Sequence, residues 1–433
     1  MSIAVLVILS FLLLVFLGLP IAFAFATASL AFLTLNLGSS SLPLLVSRTF
    51  GSIDSFPLMA IPFFVLSGDL MKESGISRGL VNFAELFIGK IKGGLGHVTV
   101  LACMFFGAIS GSSAATVAAI GGIMVPEMVS RGYDKRYAVA LAASSGFLGI
   151  LIPPSIPLIV YGINAEVSIA RLFLGGVGPG VLMGLAFMIV NRIMAPRYMT
   201  REALSSEIAG KIKETPLQVG RQAIPALIMP ILILGGIYSG AFTPTEAGAV
   251  AVVYTLLVGV LHYRSLSPKK LLNIAGGSAL TSAVILIIIG FAGVFGWIVT
   301  TEQVPARVSQ FVTALTNNPY LVLFLLNIFY LILGTFMETV TAIVITTPIF
   351  LPLIKALGID PVYFGVVQTV NLCVGLITPP MALNLLMASK VGQVSIYEVI
   401  KPLMPYLITA ILVLMLVTYV PQVILFLPNL LLG

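Results

Sequence analysis

Charged side chains are scarce in this sequence of 433 residues: Asp, Glu, Lys and Arg together make up 9% of it, while 59% is hydrophobic. The mean hydropathy is +1.14. A soluble chain of this length could not remain dispersed with so little charge, so the composition predicts a protein that crosses a membrane several times. The net charge of +7 is then typical of basic cytoplasmic loops and need not indicate binding to nucleic acid.

Reactive side chains are also few, with two cysteines and two histidines in the whole sequence. Cys103 and Cys373 lie far apart in apolar sequence, which predicts helix-packing residues rather than a disulfide or a metal pair. His97 and His262 offer no convincing partner for a serine nucleophile. An intramembrane aspartyl protease is the enzymatic alternative, but its two-aspartate signature is only weakly matched by Tyr133-Asp134 and Ser67-Gly68-Asp69. Catalysis on a covalent bond is therefore not expected.

The P-loop motif G-x-x-x-x-G-K-[ST] does not occur in the sequence. A permease driven by ATP would therefore need its ATPase on another subunit, and this remains an alternative at this point.

Several long segments carry no charge, and each can hold at least one membrane span of about 20 residues. They are 1–47, 172–191, 222–245, 271–301, 361–389 and 402–433. We expect roughly 11 to 13 spans or half-spans, since hairpins that enter and leave on one side blur the number. No Lys or Arg precedes Arg48, so residues 3–18 are predicted to form a permanent span rather than a signal peptide.

One sequence pattern occurs twice in apolar surroundings, as Gly149-Ile-Leu-Ile-Pro-Pro154 and Gly375-Leu-Ile-Thr-Pro-Pro380. A polar, glycine-containing interruption lies about 45 residues before each Pro-Pro pair, at 107–113 and at 334–339. Two matching pairs of broken helices are typical of a secondary transporter built from internal repeats, and they disfavour a passive channel.

Proline cannot donate to the carbonyl four residues earlier, so Pro153 and Pro379 are predicted to free the carbonyls of Gly149 and Gly375. A carbonyl without a partner in hydrocarbon costs several kcal/mol, and Na⁺ prefers such neutral oxygens. Hydroxyl groups near the breaks add further ligands, at Ser110, Ser112, Ser113, Thr335, Thr339 and Thr378. The alternative is a pair of proline kinks satisfied by neighbouring helices, with small residues that only allow close packing.

Half-helices that start at Ser112-Ser113 and at Thr339 would direct positive dipole ends inward, where a carboxylate substrate could bind. Glu338 is the one acidic residue in the second interruption, and two interpretations stay open. It is either a functional intramembrane carboxylate or a cap for the helix that follows.

The segments that flank the repeats are predicted to connect them or to lie beside them. Residues 192–221 form the densest basic stretch and are predicted to be the main cytoplasmic loop. Segment 222–262 is expected to cross out and back, and its turn carries a capping-box sequence, Thr243-Pro-Thr-Glu246. The mixed segments 68–92 and 296–318 are predicted to be amphipathic helices, serving either as arms of a moving part or as plain connectors.

Four phrases, in this order, closely resemble the large membrane subunit of tripartite ATP-independent periplasmic (TRAP) transporters. They are SFPLMAIPFF at 55–64, GAISGSSAAT at 107–116, GILIPPS at 149–155 and TPTEAG at 243–248. The resemblance covers essentially the whole chain. It implies an all-α polytopic membrane protein with two inverted repeats, two re-entrant helical hairpins, and an elevator-type scaffold plus transport domain.

The resemblance also implies a multi-pass importer of the bacterial inner membrane that couples Na⁺ to uptake of an organic acid, of the sialic acid or C4-dicarboxylate class. Its implied partners are a small four-helix membrane subunit, expected on a separate chain, and a periplasmic binding protein. At least two Na⁺ sites are implied, the first at Ser110, Ser112, Gly149, Ile152 and Pro154, and the second at Gly334, Met337, Thr339, Gly375, Thr378 and Pro380. The substrate-binding candidates are Ser113, Thr116, Glu338 and Asn384.

The corresponding domain division places the scaffold spans and first arm at 1–92 and the first transport repeat at 93–191. The loop, further scaffold spans and second arm occupy 192–318, the second transport repeat 319–400, and a C-terminal span 401–433.

Overall fold

The computed structural model describes residues 3–38, 41–89, 91–200 and 216–433, and these residues form helices without a β-strand. The first half contains α1 Ile3–Phe16, α2 Ile21–Leu37, α3 Ser41–Ile53, α4 Ala60–Glu73, α5 Ile76–Ile88, α6 Gly94–Ser110, α7 Ser113–Thr116, α8 Gly122–Ser130, α9 Lys135–Gly146, α10 Leu148–Leu151, α11 Ile156–Ala165 and α12 Ile169–Met194. The second half contains α13 Pro216–Tyr238, α14 Pro244–Leu257, α15 Pro268–Thr301, α16 Val304–Leu315, α17 Pro319–Phe336, α18 Thr339–Ala356, α19 Pro361–Gly375, α20 Leu383–Gly392, α21 Ile396–Tyr419 and α22 Gln422–Leu432.

Among the described residues, seven helices are long and apolar enough to cross a membrane, or up to nine if each of two bent pairs counts as one span. The bent pairs are Ser41–Ile53 with Phe56–Glu73, at 68°, and Lys135–Leu151 with Ile156–Ala165, at 41°. A π-helical segment, Val117–Gly121, joins α7 to α8, so that 113–130 is one continuous helix. The prediction of an all-α polytopic protein is confirmed.

One order of elements occurs twice. In the first repeat, α6 leads through a break into α7 and α8, and α9 and α10 lead through the Pro-Pro break into α11. In the second, α17 leads through a break into α18, and α19 leads through the other Pro-Pro break into α20. Both Pro-Pro bonds are cis. The predicted pair of helical hairpins, each followed by a broken helix, is therefore present.

The two repeats pack into each other: α9 contacts α20 and α21, and α11 contacts α18. A second group of helices packs around α15, which contacts α2, α3 and α4, while α14 packs on α4 and α13 on α5. Helix α15 also contacts α18, so it lies between this second group and the repeats.

The turn between α13 and α14 lies where it was predicted. Thr243 caps α14, its hydroxyl accepting from the Glu246 N–H, and the Glu246 carboxylate accepts from the Thr243 N–H at 2.8 Å. The predicted capping box is confirmed, and Glu246 acts as a helix-start residue. Cys103 and Cys373 are both buried and free, as predicted for packing residues.

The predicted arm segments have different boundaries. Residues 68–92 do not form one helix, because α4 ends at Glu73 and Gly75 adopts φ +83° before α5 begins. The second arm is shorter than 296–318, since α15 continues to Thr301 and α16 covers only Val304–Leu315. Both arms retain an amphipathic helix, α5 and α16.

The structure also changes the boundaries of the predicted basic loop and of the C-terminal segment. The predicted basic loop begins later than residue 192, because α12 continues to Met194, and most of the predicted loop, residues 201–215, lies outside the described residues. Segment 401–433 holds the greater part of one spanning helix, α21, and a separate short helix, α22, which packs on α12. The division into scaffold and transport domains stays a prediction.

Candidate functional site

The tip of the first hairpin is a local break with a simple cause. Gly111 ends α6 in the left-handed region at φ +60°, which glycine adopts without steric cost. Ser112 then has extended backbone, and its hydroxyl accepts the Ala115 N–H at 3.4 Å, which caps the next helix. The predicted half-helix start at Ser112-Ser113 is therefore confirmed.

Three neutral oxygens converge at this tip. The Ser110 and Thr116 hydroxyls are 3.3 Å apart, and the Thr116 hydroxyl donates to the Ser112 carbonyl at 2.7 Å. The Ser110 hydroxyl is 3.5 Å from the same carbonyl. Ser110 and Thr116 are buried. Hydroxyl and carbonyl oxygens without a carboxylate are the donor set suited to a hard monovalent cation.

The first Pro-Pro break lies against this oxygen cluster. A Cβ added to Gly149 would be 2.1 Å from the Thr116 hydroxyl and 3.0 Å from the Ser112 carbonyl. A Cβ on Gly111 would be 2.7 Å from the Pro154 carbonyl. The structure thus brings together four of the five residues predicted for the first site, Ser110, Ser112, Gly149 and Pro154. Ile152 is at the same break, with its side chain against α12.

The tip of the second hairpin is capped by a carboxylate. Met337 follows the last residue of α17, and Glu338 has extended backbone before α18 begins at the predicted Thr339. The Glu338 carboxylate accepts the N–H groups of Val340 and Thr341 at 2.8 and 3.3 Å. The capping interpretation of Glu338 is confirmed, and the residue is exposed rather than enclosed.

The second Pro-Pro break lies against the second hairpin in the same manner as in the first repeat. A Cβ added to Gly334 would be 3.1 Å from the Cα of Gly375. Thr339 is buried, and its hydroxyl has no hydrogen-bond partner among the described residues. Thr378 is half-buried and donates to the Val374 carbonyl at 2.8 Å, while Pro380 is exposed.

In the second repeat, the two carbonyls that Pro379 and Pro380 free from helical bonding accept hydrogen bonds from other donors of the protein. The chain turns after α19, so the Gly375 carbonyl accepts the Thr378 N–H at 3.0 Å and the Leu376 carbonyl accepts the Asn384 N–H at 3.0 Å. A carbonyl oxygen has two lone pairs, so each keeps one available. In the first repeat α10 ends at Leu151, and no turn of this kind follows it.

A cavity of about 110 Å³ lies between the two hairpin tips. The first repeat lines it with Ser112 and Ser113, the second with Glu338 and Leu376, and α15 contributes Ile285. No Lys, Arg or His is among its lining residues. Of the four substrate-binding candidates, Ser113 and Glu338 line the cavity and Thr116 and Asn384 do not.

Asn384 joins the two repeats beside this cavity. Its side-chain oxygen accepts a hydrogen bond from the Ser113 hydroxyl, and its amide nitrogen donates to the Ala143 carbonyl at 3.3 Å. Asn384 is fully buried. The hairpin tip of the first repeat is therefore tied to α20 of the second and to α9.

Two features of the site were not predicted. Ile285 lines the cavity from α15, and an isoleucine in a long apolar segment carries no signal of that role. The hydroxyl of Ser155 caps α11 at the first break by accepting the Leu158 N–H at 3.4 Å. A serine directly after Pro153-Pro154 and before an apolar run could have indicated this cap.

The aspartates that weakly suggested a protease have structural roles. Asp134 caps α9 and pairs with Arg136 at 2.5 Å, and this guanidinium holds the pKa of Asp134 below its usual value. Asp69 accepts a hydrogen bond from Ser278 at 2.6 Å. Each carboxylate is thus engaged by a different part of the structure.

Two repeats of broken helices around a cavity between their hairpin tips define a polytopic membrane transporter. The crystal structure of the Alcanivorax borkumensis YdaH transporter has a similar fold, with a TM-score of 0.67, 16% identity and 88% of each chain covered.

The family described as "Tripartite ATP-independent periplasmic transporter, DctM component" matches residues 8–423. The chain is 42% identical to the C4-dicarboxylate TRAP transporter large permease protein DctM of Pseudomonas aeruginosa, over 89% of both proteins. It is also 42% identical to the isethionate TRAP transporter permease protein DctMQ of Oleidesulfovibrio alaskensis, over 91% of this chain and 62% of that protein. The chain belongs to this family, as a large permease of TRAP transporters, and it is a transporter subunit rather than an enzyme.

Proposed function

We propose that this permease is a sodium-coupled secondary transporter that imports an organic acid across the bacterial inner membrane. The observation that carries the proposal is the pair of Pro-Pro breaks, each held against a hairpin that supplies neutral oxygens, on either side of one cavity. Na⁺ binding at both breaks would hold the hairpins closed over a substrate between them.

The first Na⁺ site consists of the hydroxyls of Ser110 and Ser112 with carbonyls of Gly149, Ile152 and Pro154. Its support is the convergence of the Ser110 hydroxyl, the Ser112 carbonyl and the Gly149 backbone within one tip. The second site uses the Thr339 and Thr378 hydroxyls with carbonyls of Gly334, Met337, Gly375 and Pro380. The buried Thr339 hydroxyl without a partner supports it most directly.

The substrate acid lies in the cavity between the hairpins. Its carboxylate is expected near Ser113, because the helix 113–130 starts there and its first N–H groups favour an anion. Asn384 orients the Ser113 hydroxyl, and Thr116 contributes to the adjacent ion site rather than to the cavity. The acid is of the C4-dicarboxylate, sulfonate or sialic acid class that this family carries.

Transport proceeds by an elevator movement of the repeats against the helices packed on α15. The cavity lies at the boundary between these two groups, because Ile285 of α15 lines it together with both hairpins. A site at such a boundary can be exposed on either side by sliding one group past the other. A small membrane subunit would anchor the second group, and a periplasmic binding protein would deliver the acid.

Sodium binding can be measured before the substrate is known. The purified chain with its small subunit should bind ²²Na⁺ saturably, and an excess of unlabelled Na⁺ but not of K⁺ should compete. Proteoliposomes with the binding protein encoded alongside should then take up its ligand under an inward Na⁺ gradient. Uptake that requires ATP, or that runs equally on a proton gradient in Na⁺-free buffer, would contradict the proposal.

A further inference from the structure

We infer that Glu338 makes the substrate cavity selective for acids with a single negative charge over dicarboxylates of the same size. This inference rests on the proposed function, since it assigns a charge to the substrate of the same cavity. Sequence similarity to known relatives does not decide the charge of the substrate. The two relatives at 42% identity are named for isethionate, a monoanion, and for C4-dicarboxylates, which are dianions at neutral pH.

The charge of the cavity lining is the first argument. Glu338 is its one ionisable side chain, and the other lining residues are apolar, hydroxyl-bearing or glycine. A substrate with two carboxylates would find no cationic side chain there to pair with the second. Like charges that approach closely at a protein surface repel each other more than they do in bulk water.

The second argument is the difference between the two helix starts that meet at the cavity. The helix 113–130 is capped by the neutral hydroxyl of Ser112, so its positive end is available to a substrate anion. Helix α18 already has an anion at its start, because the Glu338 carboxylate accepts the Val340 and Thr341 N–H groups. One carboxylate can therefore bind at the first hairpin, while a second would face Glu338.

Charge balance gives the same result. Two Na⁺ ions and ionised Glu338 leave one positive charge, and a monoanion neutralises it. A dianion would leave one uncompensated negative charge beside Glu338, which is unfavourable unless another cation enters. The part of a monoanionic substrate near Glu338 is then expected to carry hydroxyl or amide groups, which can donate hydrogen bonds to the carboxylate.

The test compares pairs of acids of similar size in which the dianion has a second carboxylate where the monoanion has an amide or a hydroxymethyl group. The full chain, purified with its small membrane subunit, is heated in Na⁺ buffer with succinamate or succinate, and with gluconate or glucarate. We expect the monoanion of at least one pair to raise the melting temperature half-maximally at a concentration about tenfold lower than its dianion. In K⁺ buffer neither acid should stabilise the protein.

Three variants assign the selectivity to Glu338. Glu338→Gln keeps a capping oxygen but removes the charge, so the preference should fall below about threefold. Glu338→Asp keeps charge and cap and should retain the preference. Glu246→Gln is the matched control, because Glu246 also caps a helix start but does not line the cavity, and it should behave as the wild type.

The outcomes separate the inference from the proposed function. Na⁺-dependent binding with equal affinity for both members of each pair, or a preference that survives in Glu338→Gln, overturns the inference alone. Absence of Na⁺-dependent stabilisation by all four acids overturns the inference, and absence of saturable ²²Na⁺ binding overturns the proposed function with it. If Glu338→Gln does not fold, the wild-type comparison and the Glu338→Asp variant still decide.

Discussion

Gly107 and Gly149 lie so close together that a Cβ built on Gly107 would be 2.5 Å from the Cα of Gly149. The second repeat has the same contact, since a Cβ on Gly375 would be 2.5 Å from the Cα of Gly334. In each repeat a hairpin thus touches its broken helix backbone to backbone. The absence of side chains at these contacts is what allows carbonyls and hydroxyls to converge there.

Gly149→Ala should disrupt the first ion site. The added methyl would be 2.1 Å from the Thr116 hydroxyl, so the hairpin must move away, at a cost of about 1–3 kcal/mol typical of overpacking. We expect a lower melting temperature and a loss of Na⁺ binding by at least one site. Gly122→Ala is the control, because nothing lies within 4 Å of its added Cβ, and it should bind Na⁺ normally. Normal Na⁺ binding by Gly149→Ala would contradict the assignment.

Ser112→Ala should impair Na⁺ binding more than folding. The substitution removes a proposed ligand and also a helix cap, and loss of such a cap typically costs about 1 kcal/mol. Ser168→Ala removes a cap of the same kind from α12, away from the hairpins. Equal melting temperatures with weaker Na⁺ binding in Ser112→Ala alone would support the ligand role. Equal Na⁺ affinity in both variants would return Ser112 to a capping role only.

Thr378→Ala should weaken the second Na⁺ site. Its hydroxyl donates to the carbonyl four residues earlier, a bond that contributes little to helix stability and leaves the oxygen free to accept a cation. Thr369→Ala is the matched control, because Thr369 donates the same type of bond, to the Gly365 carbonyl, within α19 and before the break. The Na⁺ dependence of uptake should shift to higher concentration in Thr378→Ala and stay unchanged in Thr369→Ala. A shift of the Na⁺ dependence in Thr369→Ala but not in Thr378→Ala would contradict the assignment of Thr378 to the second Na⁺ site.

Ser113 and Asn384 should be energetically coupled. Their hydrogen bond joins the two repeats, and each substitution to Ala removes the partner of a buried polar group. The double variant should therefore lose less stability than the sum of the two single variants, with a coupling of about 0.5–3 kcal/mol. Denaturation midpoints of the four proteins measure it. Additive effects would mean that the contact does not hold the repeats together.

A cross-link between hairpin and scaffold should stop transport if the repeats move as an elevator. A Cβ on Gly68 of α4 would be 3.3 Å from the Cβ of Ser110, close to the usual disulfide spacing of about 3.8 Å. Because Ser110 is also a proposed Na⁺ ligand, the reference is the uptake of the reduced Gly68→Cys, Ser110→Cys variant at saturating Na⁺. Oxidation should abolish this uptake, and reduction should restore it. Both native cysteines are buried and can remain.

The control pair for this cross-link is Gly259→Cys with Ser74→Cys. A Cβ on Gly259 would be 3.5 Å from the Cβ of Ser74, and both residues belong to the helices outside the repeats. Oxidation of this pair should leave uptake intact. Uptake that persists with the Gly68–Ser110 disulfide fully formed would exclude relative motion at this contact.

The sequence alone predicted features that depend on residues close together in the chain. Proline without an N–H must interrupt a helix, and Ser112, Glu338 and Thr243 begin helices where their side chains can accept nearby N–H groups. These effects act within a few residues, so the breaks, the membrane class and the helix starts at Ser112 and Thr243 followed from composition and spacing. The role of Glu338 stayed open, and the cap at Ser155 was missed. The repeat was visible for the same reason, since both copies keep the same local pattern.

Tertiary structure alone decided how these local features meet. The Ser113–Asn384 hydrogen bond spans 271 residues, and the glycine contacts depend on how closely separate helices pack. The partner of the Gly375 carbonyl stayed open in the sequence, because proline geometry does not reveal the donor that the turn after α19 supplies. Ile285 reached the cavity only through the packing of α15 against both hairpins. Sequence patterns specify bonds between near neighbours, whereas contacts between distant segments depend on the shapes of whole helices.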